Sequence, residues 1–124
     1  MKIVIPGNCP SKKNSKRIVT NRKTNKPFII SSKRHEDWHK YAIPEMKRQF
    51  AGYRITEYPI GIKMTFYWKD LRRHDIDNGL ATILDALKDA NIIEDDDSRF
   101  VNTVEGKYGG LDRLNPRVEI YIDE

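Results

Sequence analysis

The stretch that decides the fold is Ile60–Ala90, "IGIKMTFYWKDLRRHDIDNGLATILDALKDA". Its first part alternates, with Ile60, Ile62, Met64 and Phe66 on one face, and a period of two makes it a half-buried strand. Its second part changes period: Leu80, Ile83, Leu84 and Leu87 form one stripe on a helix running from about Asp77 to Ala90, with Ile76 packing beneath. Asn91 is suited to close that helix. The junction, "RRHDIDNGL" from Arg72 to Leu80, sets two aspartates one residue apart directly after two arginines.

Working outward, "KIVIP" predicts a first strand, and "PGNCPSKKNSKR" after it is a loop rich in turn formers and cations. "RIVT" and "PFIIS" flank the polar tip "NRKTNK" as a hairpin. From a Ser32 N-cap, Trp38, Tyr41, Ala42, Met46 and Phe50 recur at helical spacing, and Pro44 should kink or split that helix. "RFVNTVEGKYGG" and "RVEIYID" supply two more strands. The fold class is therefore α+β, a mixed sheet with two main helices.

A chain of 124 residues accommodates one domain, taken as 1–124, with a modest core. Its longest apolar runs are interrupted and fall short of the roughly 20 residues of a membrane span, and no signal-peptide core forms at the N-terminus. Cys9 is the single cysteine, which excludes an intrachain disulfide and a cysteine-based zinc cluster and agrees with a cytoplasmic location.

Charge is distributed unevenly beneath a net of +5. Residues 1–40 hold 11 Lys and Arg against 2 Asp and Glu, whereas residues 75–97 hold 1 against 8. A basic arm and an acidic block thus share one small domain. Clustered cations attract polyanions, nucleic acid foremost, and the plainer alternative is a solvated charged face.

The acidic residues carry the chemistry. Asp75 and Asp77, two apart on an emerging strand end, project to one side, where they repel unless a proton or cation lies between them. Hard divalent ions such as Mg²⁺ are held by one or two carboxylates together with a substrate phosphate. Asp77 also falls at a helix N-terminus, so simple capping explains it, but not Asp75. A third acid lies in "EDDDS", Glu94–Ser98. The helix carries the chain about 21 Å away, and residues 91–97 span roughly 23 Å if extended. Either this segment runs straight back along the helix, or the acid comes from a second subunit.

"RRHDIDNGLATILDALKDANIIEDDDS" followed by "RFVNTVEGKYGG" resembles the RusA family of Holliday-junction resolvases, common in phages and prophages. The matching elements are Asp75, Asp77 and Asn78; Asp85, Ala86 and Leu87; Asp96, Asp97 and Ser98; and Lys107, with "PSKKN" from Pro10 to Asn14 near the start. The resemblance implies a homodimeric endonuclease dependent on Mg²⁺, with Mn²⁺ as a substitute, that cuts four-way DNA junctions by paired nicks. It maps the metal carboxylates to Asp75, Asp77 and Asp97, with Asp96 beside them, and offers Lys107 as a catalytic cation. Lys12, Lys13, Lys16, Arg17, Arg72 and Arg73 are the candidate DNA contacts. The chain departs from the family at Ala81, where a lysine is usual. Lys107, Lys12 or Lys13 can supply that charge; if none does, the protein binds junctions and cuts them slowly. His74 reads as a phosphate neighbour or surface residue, since Mg²⁺ prefers oxygen.

One rival motif remains. "HEDWH" matches H-E-x-x-H through His35, Glu36 and His39, as zinc peptidases use it, but Trp38 and Tyr41 read as the buried face and no clear third ligand follows.

Overall fold

The computed structural model describes residues 1–10, 16–20, 22–31, 33–71 and 74–123, without the side chains of 16–20 and 28–31. Six strands and two helices follow in the order β1 (Lys2–Pro6), β2 (Lys16–Thr20), β3 (Pro27–Ser31), α1 (Lys33–Phe50), β4 (Ile60–Trp68), α2 (Ile76–Asp89), β5 (Val101–Leu111) and β6 (Arg117–Asp123). β2 and β3 form the expected hairpin as a separate two-stranded sheet. The main sheet has the order β1-β6-β4-β5. Its β4–β5 pair is parallel and the other pairs antiparallel, so the sheet is mixed.

The alternation read in β4 is the burial pattern seen. Ile60, Ile62, Met64, Phe66 and Trp68 are buried, together with Ile3 and Ile5 of β1 and Val118, Ile120 and Ile122 of β6. Both helices pack on that face: α1 contributes Trp38, Ala42, Met46 and Phe50, and α2 contributes Ile83, Ala86 and Leu87 to the same core. The opposite face stays wet, as antiparallel sheets allow, and carries ion pairs such as Lys2–Glu119 at 3.2 Å and Lys63–Glu105 at 3.8 Å.

Pro44 sits inside one continuous helix rather than splitting it. A mid-helix proline leaves the carbonyl four residues back without its helical donor; here that residue is Lys40, on the exposed side of the helix. The expected cap Ser32 lies outside the described residues. At the end of α2, Ala90 is the C-cap and Asn91 follows at φ 58°, the left-handed turn that asparagine tolerates. No helix among the described residues is long and apolar enough to cross a membrane.

Candidate active site

β4, α2 and β5 form a crossover whose ends decide which acids meet. α2 begins one residue earlier than the periodicity suggested, so Asp75 is its N-cap residue, in extended conformation at φ −89° and ψ 122°. Its carbonyl accepts the first helical bond from the Gly79 N–H at 3.2 Å, yet its carboxylate makes no capping bond. Asp77 already lies in the first turn, so strand alternation does not relate the two acids. Asn78 links them instead. Its backbone N–H donates to Asp77 Oδ1 at 2.9 Å, and its Nδ2 donates to Asp75 Oδ2 at 3.4 Å. Asn78 is 6% exposed, so its buried side-chain amide reaches Asp75 while its backbone N–H holds Asp77, where β4 gives way to α2.

The other acids lie elsewhere. Lys88 near the end of α2 pairs with Asp95 at 3.5 Å. The Asp97 carbonyl accepts from the Phe100 and Val101 N–H groups, which starts β5, and Val101 pairs with Ile60 at the beginning of β4. Since β4 and β5 are parallel, Asp97 sits at the edge where β4 begins and Asp75 follows the edge where it ends. Nine residues of strand separate those edges, about 26 Å at ~3.3 Å per step. The acidic segment therefore does not run back along α2. Among the described residues no three His, Cys, Asp or Glu side chains are grouped to hold a metal.

Within the acidic turn, Arg99 donates to Asp97 through Nε at 3.0 Å and Nη2 at 2.8 Å, and this bond holds the Asp97 carboxyl below its usual range. Asp96 is raised by burial and by its hydrogen bond with Asp95, whereas Asp95 is lowered by hydrogen bonds from Asp96.

Lys107 pairs in register with Thr65 on β4. A Cβ built on the adjacent Gly106 would meet Ile76 and Leu80 of α2, so Lys107, one step along, faces away from the helices. Ala81 is exposed on α2. Lys12, Lys13, Arg72 and Arg73 lie outside the described residues; Lys16 and Arg17 are placed in β2 without described side chains. The start of the basic arm is nonetheless fixed. Thr82 Oγ1 donates to the Pro10 carbonyl at 3.1 Å, and Asn8 Oδ1 accepts from the Lys69 N–H at 3.1 Å. The arm thus leaves from the edge that carries Asp75, one helical turn from Asn78.

His74 is neither a loose surface group nor a bystander. It is stacked on Trp68 with ring centroids 4.6 Å apart and bonded to Asp70 at 2.9 Å. The sequence carried no signal for this, because the partners lie on an irregular loop with no period. The H-E-x-x-H pattern serves packing: His35 is buried, and His39 Nε2 contacts Asp89 Oδ2 of α2 at 2.8 Å.

The family model described as endodeoxyribonuclease RusA matches residues 6–123. A crossover junction endodeoxyribonuclease RusA of Aquifex aeolicus (strain VF5) is 32% identical over 93 residues, which cover 71% of this chain and 73% of that relative. Fold, acid pair and comparisons define the class: an α+β endodeoxyribonuclease, an enzyme that cuts phosphodiester bonds within DNA. Among such enzymes, this chain belongs to the RusA family.

Proposed function

We propose that the protein is a Mg²⁺-dependent resolvase that cuts four-way DNA junctions by paired nicks as a homodimer, Mn²⁺ being able to replace Mg²⁺. The observation that carries this reading is the carboxylate pair braced by Asn78 at the opening of α2, in a chain of this family.

The third ligand comes from the partner. β5 pairs only with β4 among the described residues, leaving an eleven-residue edge; Leu80 of α2 lies against Gly106 of that strand, Leu84 follows one turn along the same partly buried stripe, and Val104 is 37% exposed. A two-fold axis through the middle of that edge sets β5 against its copy in antiparallel fashion. Such an axis exchanges the two sheet edges, so the acidic turn of each subunit approaches the Asp75 edge of the other. Asp75, Asp77 and the second subunit's copy of Asp97, assisted by Asp96, then hold the ion. An all-oxygen donor set suits Mg²⁺.

When bound, the ion supplies Lewis acidity and an activated water. The chain's own residues do the rest. Asn78 fixes both carboxylates, and the arm, with Lys12, Lys13, Lys16 and Arg17, together with Arg72 and Arg73, neutralises phosphates that the acids alone would repel. The charge that the family lysine would bring at Ala81 comes from Lys12 or Lys13, which follow in the chain soon after Pro10, itself bonded to Thr82. Lys107, on the opposite face, contacts the phosphates of a DNA arm.

Mixing two inactive variants tests this arrangement. In a heterodimer of Asp75→Asn and Asp97→Asn subunits, a site shared between subunits leaves one centre with both wild-type acids. Nicking of a synthetic four-way junction in Mg²⁺ should return on one strand per dimer, while each variant alone binds without cutting. If the mixture stays inactive while the wild type cuts, the shared site is wrong. If the wild type only shifts the junction in a gel, the protein is a binding module.

A further inference from the structure

Immediately beside Asp75 lies an open pocket of about 360 Å³ lined by Trp68, Asp70, Leu71, His74, Ile76 and Tyr108. Neither the metal set nor the basic arm accounts for it. Its volume is at the lower end of the range for ligand pockets, roughly 300–1,000 Å³, which suits one planar ring system. Its walls are aromatic faces. Trp68 stacks on His74 at 4.6 Å and 3° between planes, and on Tyr108 at 5.8 Å and 26°.

These groups differ in their access to solvent. Trp68 is 5% exposed, Tyr108 52% and Leu71 76%. In the single chain, a tyrosine ring and a leucine this open to water, in an enzyme that cuts DNA, invite a flat, weakly hydrated partner. Among the described residues the indole N–H of Trp68 is buried without a hydrogen-bond partner, and buried donors are normally satisfied. Asp70 bonds to His74, so the pocket's carboxylate is engaged with its histidine. The pocket therefore offers the half-exposed Tyr108 ring beside a rigid Trp68–His74 stack, a platform of the kind that receives an unstacked base.

We propose that this pocket receives a nucleobase adjoining the phosphate at Asp75 and Asp77, a base left unstacked where the arms of a branched substrate part. His74 and Ile76 flank Asp75 in the chain, so base and phosphate of neighbouring nucleotides are held at neighbouring positions. The proposal rests on the nuclease reading above and adds to it a source of selectivity for branched over continuous duplex, in which the base would first have to be unstacked.

A coupling experiment tests it. With the wild type, nick positions on a synthetic four-way junction are mapped, and each nucleotide around the cut phosphate is replaced in turn by an abasic residue. One such replacement should lower kcat/KM by about 5- to 100-fold, the range for loss of one base–aromatic stack. Tyr108→Ala should lower it similarly on the intact junction, and Tyr108→Phe, which keeps the ring face, should restore it to within about twofold. Tyr108→Ala on the abasic junction should cost no more than either change alone. Multiplying losses, or an unaffected Tyr108→Ala rate, overturns the pocket while Asp75→Asn still upholds the nuclease. Loss of dimer in Tyr108→Ala, read by sedimentation, would assign the ring to the interface and overturn it too. A wild type that cuts no junction overturns both readings.

Discussion

Gly79 shows how closely the acid pair is tied to the core. A Cβ there would lie 2.9 Å from two ring atoms of Phe66, which is fully buried and itself stacked on Trp68 at 5.3 Å. Alanine gains about 1 kcal/mol over glycine in helix propensity, but overpacking a core costs about 1–3 kcal/mol. Gly79→Ala should therefore lose about 1 kcal/mol in urea denaturation, against its propensity. Ala81, two residues on, is exposed, so Ala81→Lys should leave stability within about 0.5 kcal/mol. If the arm replaces the missing family lysine, Lys12→Ala combined with Lys13→Ala should lower kcat on a junction about tenfold or more. Adding Ala81→Lys to that double variant should recover cutting, and a failure to recover would show that charge near Asn78 is not what was lost. The pattern D-x-D-N was visible in the sequence. That Asn78 braces both carboxylates was not, because bracing depends on where α2 starts, and a start is set by the chain's exit from β4.

At the scale of elements, the outer face of β6 holds a compact charge network. Arg117 donates to Asp112 at 2.8 Å and to Glu119 at 2.9 Å, and its guanidinium lies 3.9 Å from the centre of the Tyr67 ring. Asp112 is held below its usual range by the Asn115 backbone N–H and by Arg117. For Glu119 burial acts upward, but hydrogen bonds from Arg117, Lys2 and Tyr121 together bring the carboxyl down. A carboxyl lowered in the folded state contributes stability that is present above its unfolded value, near about 4, and lost as pH falls through the folded one. Tm measured by calorimetry should fall more steeply between about pH 5 and pH 3 in the wild type than in Arg117→Gln. Equal slopes would mean that the network adds nothing. The strands of the main sheet were read from the sequence, β4 from its period, yet the Arg117–Asp112 pair joins residues five apart across a turn, for which no period exists.

For the molecule as a whole, the crossover geometry separates Asp97 from Asp75 and Asp77, and the two-fold dimer proposed above is what would bring them back together. Leu84→Lys, on the partly buried stripe of α2, should shift sedimentation from dimer to monomer with retained helix content and abolish paired nicking; a dimer that survives would place the interface elsewhere. Binding to a junction should fall linearly in log–log form with salt, with a slope of about −0.9 per phosphate neutralised.

The sequence by itself determined the α+β class, the alternating β4, the helix that follows, and the acidic residues and basic arm, because periodicity and charge are local properties written in order along the chain. It left open where "EDDDS" goes, since a fully extended segment was just long enough to return along the helix. Tertiary structure decided that question: β5 pairs parallel to β4 from Val101 opposite Ile60, and a parallel neighbour must begin at the same edge, which fixes Asp97 a strand's length from Asp75. The aromatic pocket was equally out of reach, because Trp68, His74 and Tyr108 meet only once β4, its exit loop and β5 are side by side.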